Sequence, residues 1–108
     1  MKRIFDPGKA FLLKESIQYA EGATVSKIVS KSKNGSVTLF SFDKGQNLSE
    51  HTAPFDALAH ILDGTCEITI DGKSNVLSEG QMIIMPANIP HALEATESFK
   101  MMLIMIKA

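Results

Sequence analysis

Residues 45–64, GQNLSEHTAPFDALAHILDG, and residues 80–95, GQMIIMPANIPHALEA, decide the fold of this chain. Each segment opens on a glycine, holds short apolar runs of strand length and carries a histidine, His51 in the first and His91 in the second. Around them the chain reads as short strands separated by turn signals, the pattern of an all-β domain. Asp71-Gly72, between TCEITI (65–70) and the next strand, is a two-residue hairpin signal, and Asn34-Gly35 predicts a second hairpin between TVSKIVSK (24–31) and SVTLFSF (36–42). Alternation puts Val37, Leu39 and Ser41 on one face of that strand and Thr38, Phe40 and Phe42 on the other. DALAHIL (56–62) is read as one strand and Asp63-Gly64 as the turn out of it. MIIM (82–85), HALEA (91–95) and FKMMLIMI (99–106) follow, with Pro86 and Pro90 framing a loop. Residues 9–20 have a period compatible with a helix, though ambiguous.

The last strand is apolar on both faces. MMLIMI must be buried on both sides, or one side must meet another chain, and we read the protein as a homodimer.

Composition narrows the classes. With 108 residues the chain is one domain, and 44% apolar against 21% charged residues excludes a disordered or fibrous protein. A formal charge of -1 with no Lys/Arg run gives no electrostatic basis for binding nucleic acid or an anionic membrane. Lys27, Lys31 and Lys33 are expected on a solvated strand face. No apolar run approaches the roughly 20 residues of a membrane-spanning helix, and Pro7-Gly8 interrupts any secretory leader. A single cysteine, Cys66, rules out an internal disulfide and suits a reducing compartment, so a cytoplasmic location is expected. No G-x-S-x-G elbow or phosphate-binding glycine loop is present.

Gly45, five residues, His51 and then Gly64, followed by Gly80, five residues, Pro86 and His91, resembles the two motifs of the cupin superfamily, in particular its small single-domain bacterial members. The resemblance covers about residues 35–106. It implies a double-stranded β-helix, a jelly-roll-like antiparallel barrel formed by residues 35–108, with residues 1–34 as an arm and first strand packed on it. In that family the motifs supply three histidines and a glutamate to one metal. Here His51 and His91 stand at two histidine positions, whereas Ala53 replaces the other histidine and Ala57 the glutamate. Asn88 replaces a motif glycine and Ala95 a motif asparagine.

The resemblance therefore implies a site of reduced metal affinity. A catalytic zinc keeps three protein ligands, and non-haem iron commonly takes two histidines and a carboxylate. Asp56 and Glu50 each lie one residue from a ligand position, and a one-residue step along a strand turns a side chain to the opposite face. Only a bulge after Pro54 would aim Asp56 inward, which would give a His51, His91, Asp56 site for zinc, iron, manganese or nickel. His60 has the parity opposite to Ala57 and is expected outside. Ala53, Ala57 and Ala59 should share a methyl-lined wall, with Phe55, Met82, Met85 and Leu93 as fillers of the vacated space.

Four readings follow. The first is a metal-free binder of a small-molecule ligand, held by His51, Phe55, Ala57, Met85 and His91, with no cofactor. The second is a metal-dependent isomerase, decarboxylase or dioxygenase built on His51, His91 and Asp56. The third is a metal-free acid–base enzyme in which one imidazole moves a proton, assisted by Asp56 or Glu50. The fourth is a structural or partner-binding dimer with a closed interior.

Overall fold

Period-two alternation along nearly the whole chain produces eight strands among the residues described, 5–107, in a computed structural model. They are β1 (Thr24–Ser32), β2 (Gly35–Phe42), β3 (Asn47–His51), β4 (Asp56–Ile70), β5 (Lys73–Ser78), β6 (Met82–Met85), β7 (His91–Glu94) and β8 (Phe99–Ile106). Every pairing is antiparallel. No described helix is long and apolar enough to cross a membrane. Residues 1–4 of the expected arm and residue 108 lie outside the described residues. The remainder of the arm holds only a single 3-10 turn, Leu13–Glu15, in place of a helix.

Strand β4 organises the molecule because its two halves serve two sheets. Its first half pairs with β8 on one side and β6 on the other, and β8 in turn pairs with β2 and β2 with β1. Its second half pairs with β5 and β7, and β7 pairs with β3. Asp63-Gly64 is accordingly no turn: β4 runs through it for 15 residues. A register shift between Ile61 and Asp63 and the left-handed φ of 77° at Gly64 bend the strand from one sheet into the other. Gly64 is required twice, since a Cβ there would lie 1.9 Å from the Ser98 carbonyl oxygen.

The two hairpins differ. Asp71 and Gly72 both take left-handed φ, 51° and 78°, and join Ile70 to its partner Lys73, as the Asp-Gly signal predicts. In the other, Ser32 pairs with Gly35, so the turn residues are Lys33 and Asn34 and Gly35 already belongs to β2. A Cβ on Gly35 would lie 2.6 Å from the Met105 carbonyl oxygen, so it is close approach to β8 that selects glycine there.

The sheets enclose one core. Phe42, Ala57, Ala59, Ile61, Ile68, Leu93, Phe99 and Met101 are buried within it, and the rings of Phe42 and Phe99 stack with centroids 4.6 Å apart. Burial of each such aromatic stabilises by roughly 1.5–3 kcal/mol. A second cluster lies on the outer side, where Ile17 from the arm covers Leu39 and Leu62. Tyr19 donates from its hydroxyl to Asp63 at 2.6 Å, and half-buried Lys27 donates to the Ser16 carbonyl at 3.0 Å, so Lys27 clamps the arm instead of standing in solvent. Strand β8 lies between β2 and β4, with Met101, Leu103 and Met105 toward the inner cavity and Met102 under the arm.

Candidate functional site

The two histidine-bearing segments meet at the edge of the second sheet. His51 ends β3, His91 begins β7, and the two are register partners. Leu48 pairs with Leu93, so strict alternation from Leu48 would send His51 outward; a register shift between Leu48 and His51 turns it in. The loops behind them are tied as well. Asn88 adopts φ 65° and donates its N–H to the Ala53 carbonyl at 2.7 Å. Asparagine tolerates the left-handed region better than most residues, so it can stand where the motif has glycine.

The ring nitrogens define the chemistry. Nδ1 of His51 lies 2.8 Å from the Ser49 carbonyl oxygen, and Nδ1 of His91 lies 3.1 Å from that of Ile89. A carbonyl only accepts, so the hydrogen-bond network assigns a hydrogen to both Nδ1 atoms. Both Nε2 atoms are then bare in the neutral rings, and they face one another at 3.1 Å. The rings meet edge to face, with centroids 4.3 Å apart. His91 is only 4% exposed, whereas His51 stands at the open side. Two lone pairs at this distance repel unless something electron-poor lies between them. A second nitrogen held by a backbone carbonyl is also the arrangement that orients a metal-ligating imidazole.

Behind the pair lies an inner cavity of about 50 Å³, lined by Leu48, Ala53, Ala57, Leu93, Leu103 and three methionines, Met85, Met101 and Met105. It has room for a few waters, far less than the roughly 300–1,000 Å³ of pockets that enclose a whole drug-sized ligand.

Of the residues predicted to bind ligand, His51, Ala57, Met85 and His91 come together here, and Phe55 and Asp56 do not. Both of these line a separate open groove of about 380 Å³ with Leu58, Ile84 and Ile106. Phe55 shares parity with Ala57, but residues 52–55 are outside any strand, so the alternation does not reach it. Its ring lies under the Lys107 ammonium, 5.2 Å from the centroid. Asp56 opens β4 in regular register opposite Ile106, with no bulge to re-aim it, and its carboxylate accepts the Ala87 N–H at 2.9 Å. Met82 is 47% exposed because Met82 and Met85 are an odd number of residues apart and point to opposite faces. His60 pairs with Met82 and Met102 on the outer face, as its parity requires. The contribution that sequence reasoning missed is the pair Met101 and Met105, which alternation along β8 could have placed inside.

The donor set does not fit the family's divalent metal. Among the described residues no group of three or more His, Cys, Asp or Glu side chains converges, so the pair has no third ligand of those types. Cys66 is fully buried elsewhere in the core, and burial pushes its thiol up to about 12, which keeps it protonated.

Residues 38–107 match the family described as the cupin domain. The chain therefore belongs to the cupin superfamily. It is similar to a conserved protein of unknown function from Streptococcus pyogenes, with 38% identity over 100% of this chain and 96% of that one, at a TM-score of 0.92. A cupin 2 conserved barrel domain protein from Leptotrichia buccalis is 47% identical over 90% of this chain, at a TM-score of 0.87; the chain spans about half of that protein, 47%. A cupin superfamily protein from Desulfitobacterium hafniense is 28% identical over 96% of this chain and 95% of its own, at 0.90. No curated protein matches the chain.

Proposed function

We propose that the protein is a ligand-binding cupin, and that its ligand presents one small electron-poor group, a hydrogen-bond donor or a cation, to the Nε2 atoms of His51 and His91. The observation supporting this is the 3.1 Å separation of two Nε2 atoms whose Nδ1 partners are both committed to carbonyls. Such a pair is a Lewis base held ready. The cavity volume of about 50 Å³ limits what goes deep: a larger molecule inserts its tip, and its body stays at the open side beside His51. Divalent metal is held weakly in this reading, because Ala53 and Ala57 offer methyl groups where the motif has ligands.

Ethanolamine and Zn(II), added separately to protein with ¹⁵N-labelled histidine, test the proposal. The expected result is that at least one perturbs the His51 and His91 ring signals together and saturably, and that His91→Ala abolishes the effect. Perturbation of His60 instead, or of no histidine, would contradict it.

The same proposal includes self-association. Val37, Ile104, Leu58 and Ile84 are successive register partners across β2, β8, β4 and β6 on the outer face, flanked by Ile106 at 59% exposure. This row carries no charge, so in a two-fold contact, where a patch meets itself, it opposes no like charges.

A further inference from the structure

We infer that the group held by His51 and His91 is a soft monovalent cation, copper(I) in chemical class, with thioether sulfur from Met85 and Met105 completing its donor set. This rests on the reading of the two histidines as the binding pair and adds the identity of what they bind.

The register of β4 carries the inference. Ala57, at the motif's carboxylate position, pairs with Met85 on one side and Met105 on the other. Side chains directly opposite on one sheet face have Cβ atoms about 4.5–5.5 Å apart, within easy reach of a flexible thioether. Both methionines line the same cavity as the two imidazoles. Where a cupin motif offers a hard oxygen, this chain has a methyl group flanked by two sulfurs.

The donors on that cavity are thus nitrogen and sulfur, and no carboxylate lines it. Magnesium, calcium and manganese suit oxygen ligands, whereas thioether and thiolate sulfur select copper(I). Distance adds a constraint. Two nitrogens about 2.0–2.1 Å from one ion, as imidazoles commonly sit, would subtend roughly a right angle if they stayed 3.1 Å apart. An ion there could not be satisfied by a linear pair of nitrogens and would need a further donor from the cavity side, where the methionines lie. A cavity of about 50 Å³ accommodates a bare ion without rearrangement.

Anaerobic titration of the full chain with copper(I) buffered by bicinchoninate, followed by copper K-edge absorption spectroscopy, tests it. One copper per chain is expected, with sulfur and nitrogen neighbours and an affinity at least about 100-fold above that for Zn(II). The paired change Met85→Leu, Met105→Leu should remove the sulfur signal and weaken binding by about 100-fold. Leucine conserves volume, so the fold should survive, as circular dichroism would show. Met102→Leu, under the arm, should change affinity less than about 3-fold. Copper bound through nitrogen alone, or unaffected by the paired change, overturns the inference and leaves the histidine reading standing. Absence of copper(I) binding while ethanolamine or Zn(II) still perturbs both rings has the same meaning. No response of either ring to any probe overturns both.

Discussion

The first half of β4 presents two faces of opposite chemistry. Inward stand Ala57, Ala59 and Ile61, three buried apolar residues in a row. Outward stand Asp56, Leu58 and His60, in an exposed carboxylate, a half-buried aliphatic and a half-buried imidazole. The titratable groups near motif positions thus fall on the side away from the site, while the site side is methyl. What makes the inner face chemical comes from elsewhere: His51 and His91 across the cavity, and the methionines on β6 and β8. A ligand motif can lose its members on one strand and still converge donors, because convergence is set by the closure of two sheets.

Closure itself is the first thing to break. Gly64→Ala places a methyl group against the Ser98 carbonyl at a left-handed φ, so a loss of about 3 kcal/mol or more in unfolding free energy is expected, measured by urea denaturation. An alanine variant as stable as the native chain would show that β4 need not bend to join its two sheets. Next comes the contrast between histidines. His91→Ala should weaken binding of whichever probe the site takes by about 100-fold, worth roughly 2.7 kcal/mol, while His60→Ala should leave it within about 2-fold. Equal effects would erase the distinction between the faces.

On the outer face, Ile84→Glu puts a charge into the aliphatic row. It should weaken self-association by at least about 10-fold in sedimentation equilibrium and leave probe binding unchanged. The smallest effect expected concerns the arm. Hydrogen bonding from Tyr19, with further help from Lys14 at 3.2 Å, holds the Asp63 carboxyl below its ordinary value of 3.8. A depressed folded-state value stabilises above the ordinary value and is lost as pH falls through the depressed one. Asp63→Asn should therefore cost about 1 kcal/mol at neutral pH, a figure reduced for its partial exposure, and should flatten the stability profile below about pH 4. An unchanged acid limb would show that the Tyr19–Asp63 contact adds nothing to the hold that Ile17 and Lys27 have on the arm.

Much of this was legible in the sequence, for definite reasons. Period-two alternation placed His60 outside and Ala57 inside, and the Asp71-Gly72 turn followed from two left-handed residues in a row. The spacing of Gly45, His51, Pro86 and His91 carried the fold and brought the two imidazoles together. Alternation misled where the chain departs from a regular strand. Phe55 falls outside because residues 52–55 leave the sheet, and Asp63-Gly64 reads as a turn although it bends a continuous strand. His51 depends on a shift between Leu48 and His51 that no local residue type announces. The tautomers were out of reach as well, because the carbonyls of Ser49 and Ile89 that set them are backbone atoms.

With hydrogen on both Nδ1 atoms, the Nε2 atoms of His51 and His91 face each other bare across the mouth of an apolar cavity. Long-range ¹H–¹⁵N correlation of the histidine rings in the ligand-free protein, at about pH 8 where an ordinary imidazole is neutral, reads this directly. The account predicts hydrogen on Nδ1 and none on Nε2 for both His51 and His91. A protonated Nε2 on either ring would mean that one histidine simply donates to the other, and the site as described here would not exist.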